Sequence, residues 1–415
     1  MGKSIMSLGG WLSLLMCALA IATMNGQVRS QDKLNFTLLE TAVPIGAVCL
    51  DGSPPAYAYV EGSGNGSTNW IVYMEGGGWC VSQQDCLNRS RTYLGSSQPQ
   101  YTDQRGVSFT GILDSYTEFN PYFYNWHKVY IHYCDGSVYM SDIDQVDPSN
   151  NLTFRGGRIY DAMMEEMLHK GMGHAHNAIL TGGSAGGLST ILHCDRFRAL
   201  FSNTTKVKCV SDSGFFIRGE GELANESGRH FAQVIATHEL AALLPRSCTS
   251  KRDPNLCLFP EYLVGDIATP LFLVESAFDT VQISNNFIYT VRGGWGPTQW
   301  SNCFNDLAGC NSTQTGIIKD FGAIFIETLL KLNNSWSGGM FVDSCYLHTH
   351  ILERYNWICS PSLHNKLFGV QTMGQAIADW FFEGSSFRVI DSDNVLPQRC
   401  RAPDNAKICL APSIS

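Results

Sequence analysis

The chain has 415 residues and a formal charge of −9, from 28 Lys and Arg against 37 Asp and Glu, and 44% of it is hydrophobic. This length and apolar content exclude a disordered chain and fit two or three modules or one large, decorated α/β unit. Net acidity argues against a nucleic-acid binder, which needs a basic face, and fits poorly with an anionic membrane surface. A large enzyme or a receptor-type domain remains.

Residues 1–31 read as a signal peptide. Lys3 precedes an apolar run, Trp11–Ala22, of about 12 residues, inside the range of a signal core and short of the ~20 that a membrane helix needs. Ala18, Ala20 and Ala22 offer small-residue cleavage sites; an uncleaved anchor is the alternative. Residues 32–415 then form a single domain, with no repeat or low-complexity linker. Of the 15 cysteines, Cys17 lies in the signal, leaving an even fourteen for pairing in a secreted chain. Cys248–Cys257, Cys303–Cys310 and Cys400–Cys409 are the expected local staples, and no cysteine spacing resembles a zinc site. Glycosylation sequons begin at Asn35, Asn65, Asn88, Asn151, Asn203, Asn225, Asn311 and Asn333.

Short β-rich apolar runs predict strands at Trp70–Met74, Lys128–Tyr133, Ala178–Leu180, Val207–Val210 and Pro270–Val274. Helices are predicted over Gly157–Lys170 and from just after Gly186 to about Arg198, with another at Phe321–Leu332. Continuous apolar strands alternating with helices predict a mostly parallel α/β sheet, whose ligands collect at the carboxyl ends of the strands. The long stretches Gly95–Trp126, Phe215–Gly265 and Ser284–Met340 are expected to be disulfide-stapled insertions that wall a pocket above the sheet. The tail from about Ser386 is expected to be pinned by Cys400 and Cys409.

The third predicted strand runs into Thr181-Gly182-Gly183-Ser184-Ala185-Gly186-Gly187. This is G-x-S-x-G between a strand and a helix, the nucleophile elbow of the α/β-hydrolase type. Small neighbours let the chain turn sharply and lift the hydroxyl toward solvent. A serine needs a base, and the partners in this fold follow in the order Ser, acid, His. Asp279, at the carboxyl end of Pro270–Val274, is the preferred acid and Asp212 its rival. His348, His350 and His364 lie late enough to be the base, with His348 preferred. Strand Trp70–Met74 leads into Glu75-Gly76-Gly77-Gly78-Trp79-Cys80, whose backbone amides at Gly78 and Trp79, with that of Ala185, are candidate oxyanion donors.

With these residues assembled, the chain resembles the plant pectin acetylesterases, a family of α/β-hydrolase carbohydrate esterases related to the animal Wnt deacylase Notum. The resemblance spans nearly the whole mature chain. It rests on Tyr73–Cys80, on Tyr133-Cys134-Asp135-Gly136-Ser137, on Gly182–Gly187, on Ala277-Phe278-Asp279 and on Asp343–His348. It implies a Ser184–Asp279–His348 triad, favouring Asp279 over Asp212 and His348 over His350. It also implies hydrolysis of O-acetyl esters on acetylated pectin in the cell wall, with no cofactor and no metal. A monomer is expected, since no sequence feature demands an oligomer. A polyanionic substrate sits awkwardly with a net acidic enzyme; Arg89, Arg91 and Lys128 are candidate cleft cations. A Notum-like esterase that removes a fatty acyl group from a protein is the alternative, and a noncatalytic binding protein on the same scaffold is a further one.

Overall fold

The computed structural model describes residues 33–102, 106–146, 148–284, 300–303, 306–332, 338–359, 372–384, 387–392 and 396–400. The chain separates into Met1–Lys33 and a unit spanning Leu34–Ser415. The expected signal segment, His364, Cys409 and the Asn333 sequon lie outside the described residues.

Among the described residues nine strands form one sheet: β1 (Thr37–Leu38), β2 (Ala56–Val60), β3 (Asn69–Met74), β4 (His127–Ile131), β5 (Asn177–Gly183), β6 (Lys206–Asp212), β7 (Leu271–Ser276), β8 (Gly339–Asp343) and β9 (Arg388–Ile390). Their order is β1-β2-β4-β3-β5-β6-β7-β8-β9. Pairing is antiparallel at β1/β2 and β2/β4 and parallel from β4 through β9. Each of the five predicted strands is present, shifted or lengthened by a few residues at its ends. The sheet is buried on both faces because successive side chains enter different layers. Trp70, Val72 and Met74 pack into one core, whereas Ile71 and Tyr73 pack into the other.

The principal helices are α1 (Gln83–Arg89), α2 (Gly156–His169), α3 (Ala185–Arg198), α4 (Gly221–Thr237), α5 (Ser312–Lys331) and α6 (Met373–Glu383). Helix α2 buries Ile159, Met163 and Met167 with α3 against the first face of the sheet. Helix α6 and the segment around Phe123 and Trp126 cover the second. Helix α5 starts well before the expected Phe321, because Asn311 and Gln314 form a reciprocal capping box that fixes its first turn.

The insertions behave differently from one another. Residues from Phe215–Gly265, including α4, lie over the carboxyl edge of the sheet and line its cavity. The described residues of Gly95–Trp126 pack into the second core instead, through Phe109, Ile112, Leu113, Phe123 and Trp126. Disulfides join Cys49–Cys134, Cys80–Cys86, Cys194–Cys209, Cys248–Cys257, Cys303–Cys310 and Cys345–Cys400, and Cys359 is also disulfide-bonded. Two expected local pairs are present. The third expectation, Cys400–Cys409, is wrong: Cys400 bonds Cys345, because the tail runs beside the loop after β8, where Tyr346 and Gln398 donate backbone hydrogen bonds to Gln398 and Ser344. The tail is therefore pinned to the loop that carries His348.

At the crossing of β3 and α3, a Cβ on Gly186 would lie 2.0 Å from the Met74 carbonyl oxygen. That obstacle is backbone and cannot rotate away. Gly186→Ala is expected to lower stability by roughly 3 kcal/mol, the upper end of overpacking costs, read from the urea midpoint at unchanged m value.

Candidate active site

Parallel neighbours in register end at one edge, so the loops after β3, β5, β7 and β8 converge there. Ser184 sits between β5 and α3 with φ 60° and ψ −124°, a conformation that L-residues rarely adopt. The turn is held by the Ser184 amide, which donates to the Asp212 carbonyl at 2.8 Å, and by the Ser184 carbonyl, which accepts from Leu188 N at 2.9 Å. Gly76 must be bare for the β3 loop to pass, because a Cβ there would lie 2.2 Å from Gly183 O and 2.9 Å from Ser184 Cβ.

Asp279 follows β7 and is fully buried. Its Oδ1 accepts from the amides of Val281 and Gln282, capping a short helix, which leaves Oδ2 for His348 Nδ1 at 2.6 Å. The other ring nitrogen, His348 Nε2, is buried and has no partner among the described residues. It makes no direct hydrogen bond to Ser184, but both residues line one cavity. An imidazole oriented by a buried carboxylate, with a free nitrogen beside a serine, is what general-base activation of that hydroxyl requires.

The rivals of these two residues form a separate cluster. His350 is fully buried, with Nδ1 3.1 Å from Asp212 Oδ1 and Nε2 3.5 Å from Asp343 Oδ1, an ion-pair separation without hydrogen-bond geometry. Asp212 Oδ2 accepts from the backbone amides of His350 and Ile351. Burial on its own pushes the His350 imidazole pKa down, but Asp343 and Asp212 outweigh it and raise the value well above normal. His350 is therefore held as a cation between two aspartates, and neither it nor Asp212 lines the cavity. Nearby, burial and Asp279 raise the pKa of Glu275, whose Oε1 accepts from the amides of Gly214 and Phe215.

The cavity measures about 720 Å³ and is lined by Gly76, Gly77, Gly78, Trp79 and Ser184 on its floor. The amides of Gly78, Trp79 and Ala185 have no acceptor among the described residues. Ala185 opens α3, so its N–H is one of the helix's first four, which lack intrahelical acceptors. The walls come from Phe216, Val281, Gln282 and one face of α4 with Glu226, Arg229, His230 and Gln233. The sequence reading missed this face, although its i, i+3, i+4, i+7 spacing within an aromatic-rich stretch was a visible signal. Trp79 Nε1 donates to His230 Nε2 at 2.8 Å, tying the glycine loop to α4.

The expected cleft cations are elsewhere. Arg89 is half-buried and hydrogen-bonds Gly77 O and Leu94 O. Lys128 is buried in β4 against Tyr124 O and Ser115 Oγ, where burial lowers its pKa to about 8. Arg91 is exposed away from the lining. Arg229 is on the wall, paired with Glu226.

Comparison with known proteins identifies the lineage. A sequence model of the family described as pectinacetylesterase matches residues 27–401. The chain belongs to the pectinacetylesterase family. It is a carboxylic ester hydrolase. It is 40% identical over 388 residues to pectin acetylesterase 11 of Arabidopsis thaliana, covering 93% of this chain and 95% of the relative. It is 28% identical to the palmitoleoyl-protein carboxylesterase NOTUM of Mus musculus over 74% of this chain and 61% of that protein. The solved structure of the Wnt deacylase Notum from Drosophila superposes with a TM-score of 0.69 at 25% identity, covering 89% of this esterase and 97% of that chain. No described helix of the esterase is long and apolar enough to cross a membrane.

The two histidines should separate cleanly by stability. His350→Ala strips the partner from two buried carboxylates and is expected to cost about 3–5 kcal/mol, whereas His348→Ala affects only Asp279, whose Oδ1 keeps two amide donors, and is expected to cost clearly less. The His350 contribution is complete below the unfolded histidine value near 6.5 and is lost as pH rises through its raised folded value. The stability gap between wild type and His350→Gln should thus be widest below about pH 6.5 and narrow in alkaline buffer. Equal gaps at pH 5 and pH 9 would remove the cationic reading of His350.

Proposed function

We propose that the protein is a secreted serine esterase that removes O-acetyl groups from pectin in the plant cell wall. The observation carrying this reading is the 2.6 Å bond from His348 to buried Asp279, beside Ser184 in one cavity, in a chain 40% identical nearly end to end to a pectin acetylesterase. Ser184 is the nucleophile, His348 the base and Asp279 its orienting acid. As Ser184 Oγ bonds the acetyl carbon, its proton passes to His348 Nε2. The amides of Gly78, Trp79 and Ala185 receive the oxyanion. The bond to the sugar oxygen then breaks, that oxygen takes the proton from His348, and water returns the enzyme through the reverse sequence and releases acetate. No step calls on a cofactor or metal, and the enzyme acts as a monomer on the acetylated polysaccharide.

Export is supported by the apolar leader and the paired cysteines. The sequon asparagines at 35, 65, 88, 151, 203, 225 and 311 are all exposed, as glycan acceptors must be.

Ser184→Ala and His348→Ala are each expected to reduce kcat on p-nitrophenyl acetate by at least ~10³-fold while both proteins still unfold in a single cooperative thermal transition; a normal His348→Ala enzyme would overturn the assignment of the base. Acetate release should be faster from acetylated pectin than from acetylated xylan, and the opposite order would sink the substrate reading. A second reading, removal of a long acyl chain, is favoured by one observation: Trp79, Phe216, Phe231 and Val281 give a cavity of about 720 Å³ more apolar wall than acetate needs. Faster turnover of p-nitrophenyl palmitate than of the acetate would establish it.

A further inference from the structure

The motif Tyr133-Cys134-Asp135-Gly136-Ser137 and the residue Arg89 have no part in the chemistry above, yet both reach the glycine loop. Arg89 Nη1 donates to Gly77 O at 2.9 Å, and Tyr133 Oη donates to Gly78 O at 2.8 Å. The Arg89 guanidinium lies over the Tyr133 ring at 5.0 Å from its centre. The Tyr133 hydroxyl itself accepts from Val138 N at 3.0 Å, so its direction is fixed. Two residues before Gly77, the Glu75 carbonyl accepts from Tyr139 Oη at 3.3 Å.

In a trans peptide the C=O and N–H point in opposite directions. Gly77 O shares a peptide with Gly78 N, and Gly78 O shares one with Trp79 N. Arg89 and Tyr133 do not line the cavity, whereas Gly77, Gly78 and Trp79 do. Carbonyls turned toward Arg89 and Tyr133 therefore leave both N–H groups turned the other way. A Cβ on Gly78 would meet nothing within 4 Å, as expected of a residue at an open wall. Among the described residues no other group hydrogen-bonds these two carbonyls, and glycine at 77 and 78 tolerates several orientations.

We propose that Arg89 and Tyr133 are positioning residues that aim the Gly78 and Trp79 amides at the oxyanion formed on the ester carbonyl. The rest of the motif supports this pair. The Cys80–Cys86 disulfide ties the end of the glycine loop to the helix bearing Arg89, and Cys80 N donates to Gly136 O at 3.2 Å. Gly136 has φ +67°, and a Cβ there would lie 2.8 Å from Cys80 Sγ and 3.2 Å from Arg89 Cδ. The motif is thus a cradle in which the disulfide and the arginine both fit only over a glycine.

The proposal rests on Ser184 being the nucleophile, and the test keeps the two apart. Arg89→Ala and Tyr133→Phe are assayed with p-nitrophenyl acetate and with the matching thionoacetate, whose sulfur accepts hydrogen bonds poorly. Removing an oxyanion donor outright costs about 10²–10³ in kcat elsewhere, so misaiming one in each variant should cost about 10- to 100-fold, with KM shifted less than about threefold. Wild type should prefer the oxygen ester strongly, and both variants should lose much of that preference. Guanidinium ion should restore part of the Arg89→Ala activity. A mere loss of folded enzyme lowers both substrates in parallel, and that result, or kcat within about twofold of wild type, overturns the proposal. Where Arg89→Ala does not accumulate, Tyr133→Phe, the loss of one hydroxyl, decides. Ser184→Ala is run alongside: if it stays active, the nucleophile reading fails, whereas if it is dead and both variants are normal, only the positioning role falls.

Discussion

Asp212 holds the two halves of the site together. Its backbone carbonyl accepts from Ser184 N and closes the turn at φ 60°, while its carboxylate accepts from the amides of His350 and Ile351, two and three residues past His348. A strained residue of this kind costs on the order of 1–3 kcal/mol and persists only where its surroundings over-determine it. One aspartate at the end of β6 does this for the serine turn and for the histidine loop at once. Any drift of β6 relative to its neighbours would move both. His350 completes the arrangement, because its Nδ1 lies 3.1 Å from Asp212 Oδ1 and keeps that buried carboxylate from standing alone in a dry interior.

The histidine loop is fixed from its other end as well. Ser276 Oγ donates to Cys345 O, Ala277 N donates to Asp343 O, and the disulfide to Cys400 brackets the same stretch. Beyond His350, the Ile351 carbonyl accepts from Ile112 N, and Arg354 pairs with Asp114. The short bond between His348 and Asp279 is thus the consequence of two strands ending side by side with their loops cross-tied. This explains why the base can come from far along the chain without a long flexible tether.

Sequence reading reached the strands that carry chemistry because each ends in an unmistakable punctuation, a glycine run or an Asp after an apolar stretch. It placed Ser184, Asp279 and His348 on loops that meet in one cavity. It did not find β8, although Gly339–Asp343 closes an apolar stretch with an Asp, nor β1, β2 and β9 at the sheet's edges, nor α4, whose polar face looks like any solvated helix until a cavity is opened beneath it. Asp212 and His350 were legible as residues but not as a unit. Their types and order suit the acid and the base as well as Asp279 and His348 do, and only burial separates a structural cation from a proton acceptor. The Cys345–Cys400 pairing was invisible for a related reason: proximity along the chain favoured Cys409, whereas proximity in space depends on β8 having a partner segment.

The acidic net charge has to be weighed at the cavity rather than over the whole surface. At physiological ionic strength charges beyond roughly 8–10 Å are screened, so most of the excess carboxylates act on solubility and little on a bound sugar ring. Among the described lining residues the charged side chains are Glu75, Glu226 and Arg229, besides the histidines. Glu75 is turned inward to His132 and the Tyr133 amide, and Glu226 already pairs with Arg229. A uronate carboxylate entering here must displace Glu226 from Arg229 or lie beside a pair with no net charge. The arginine is about two-thirds exposed, so the exchange needs little reorganisation but also gains little, since a surface ion pair contributes at most about 1 kcal/mol. A methyl-esterified ring faces no such exchange and can lay its apolar face against Trp79 and Phe216. The wall of α4 is therefore close to indifferent between the two forms, and the ester to be cleaved is set by the floor, where its carbonyl must reach both the serine and the glycine loop.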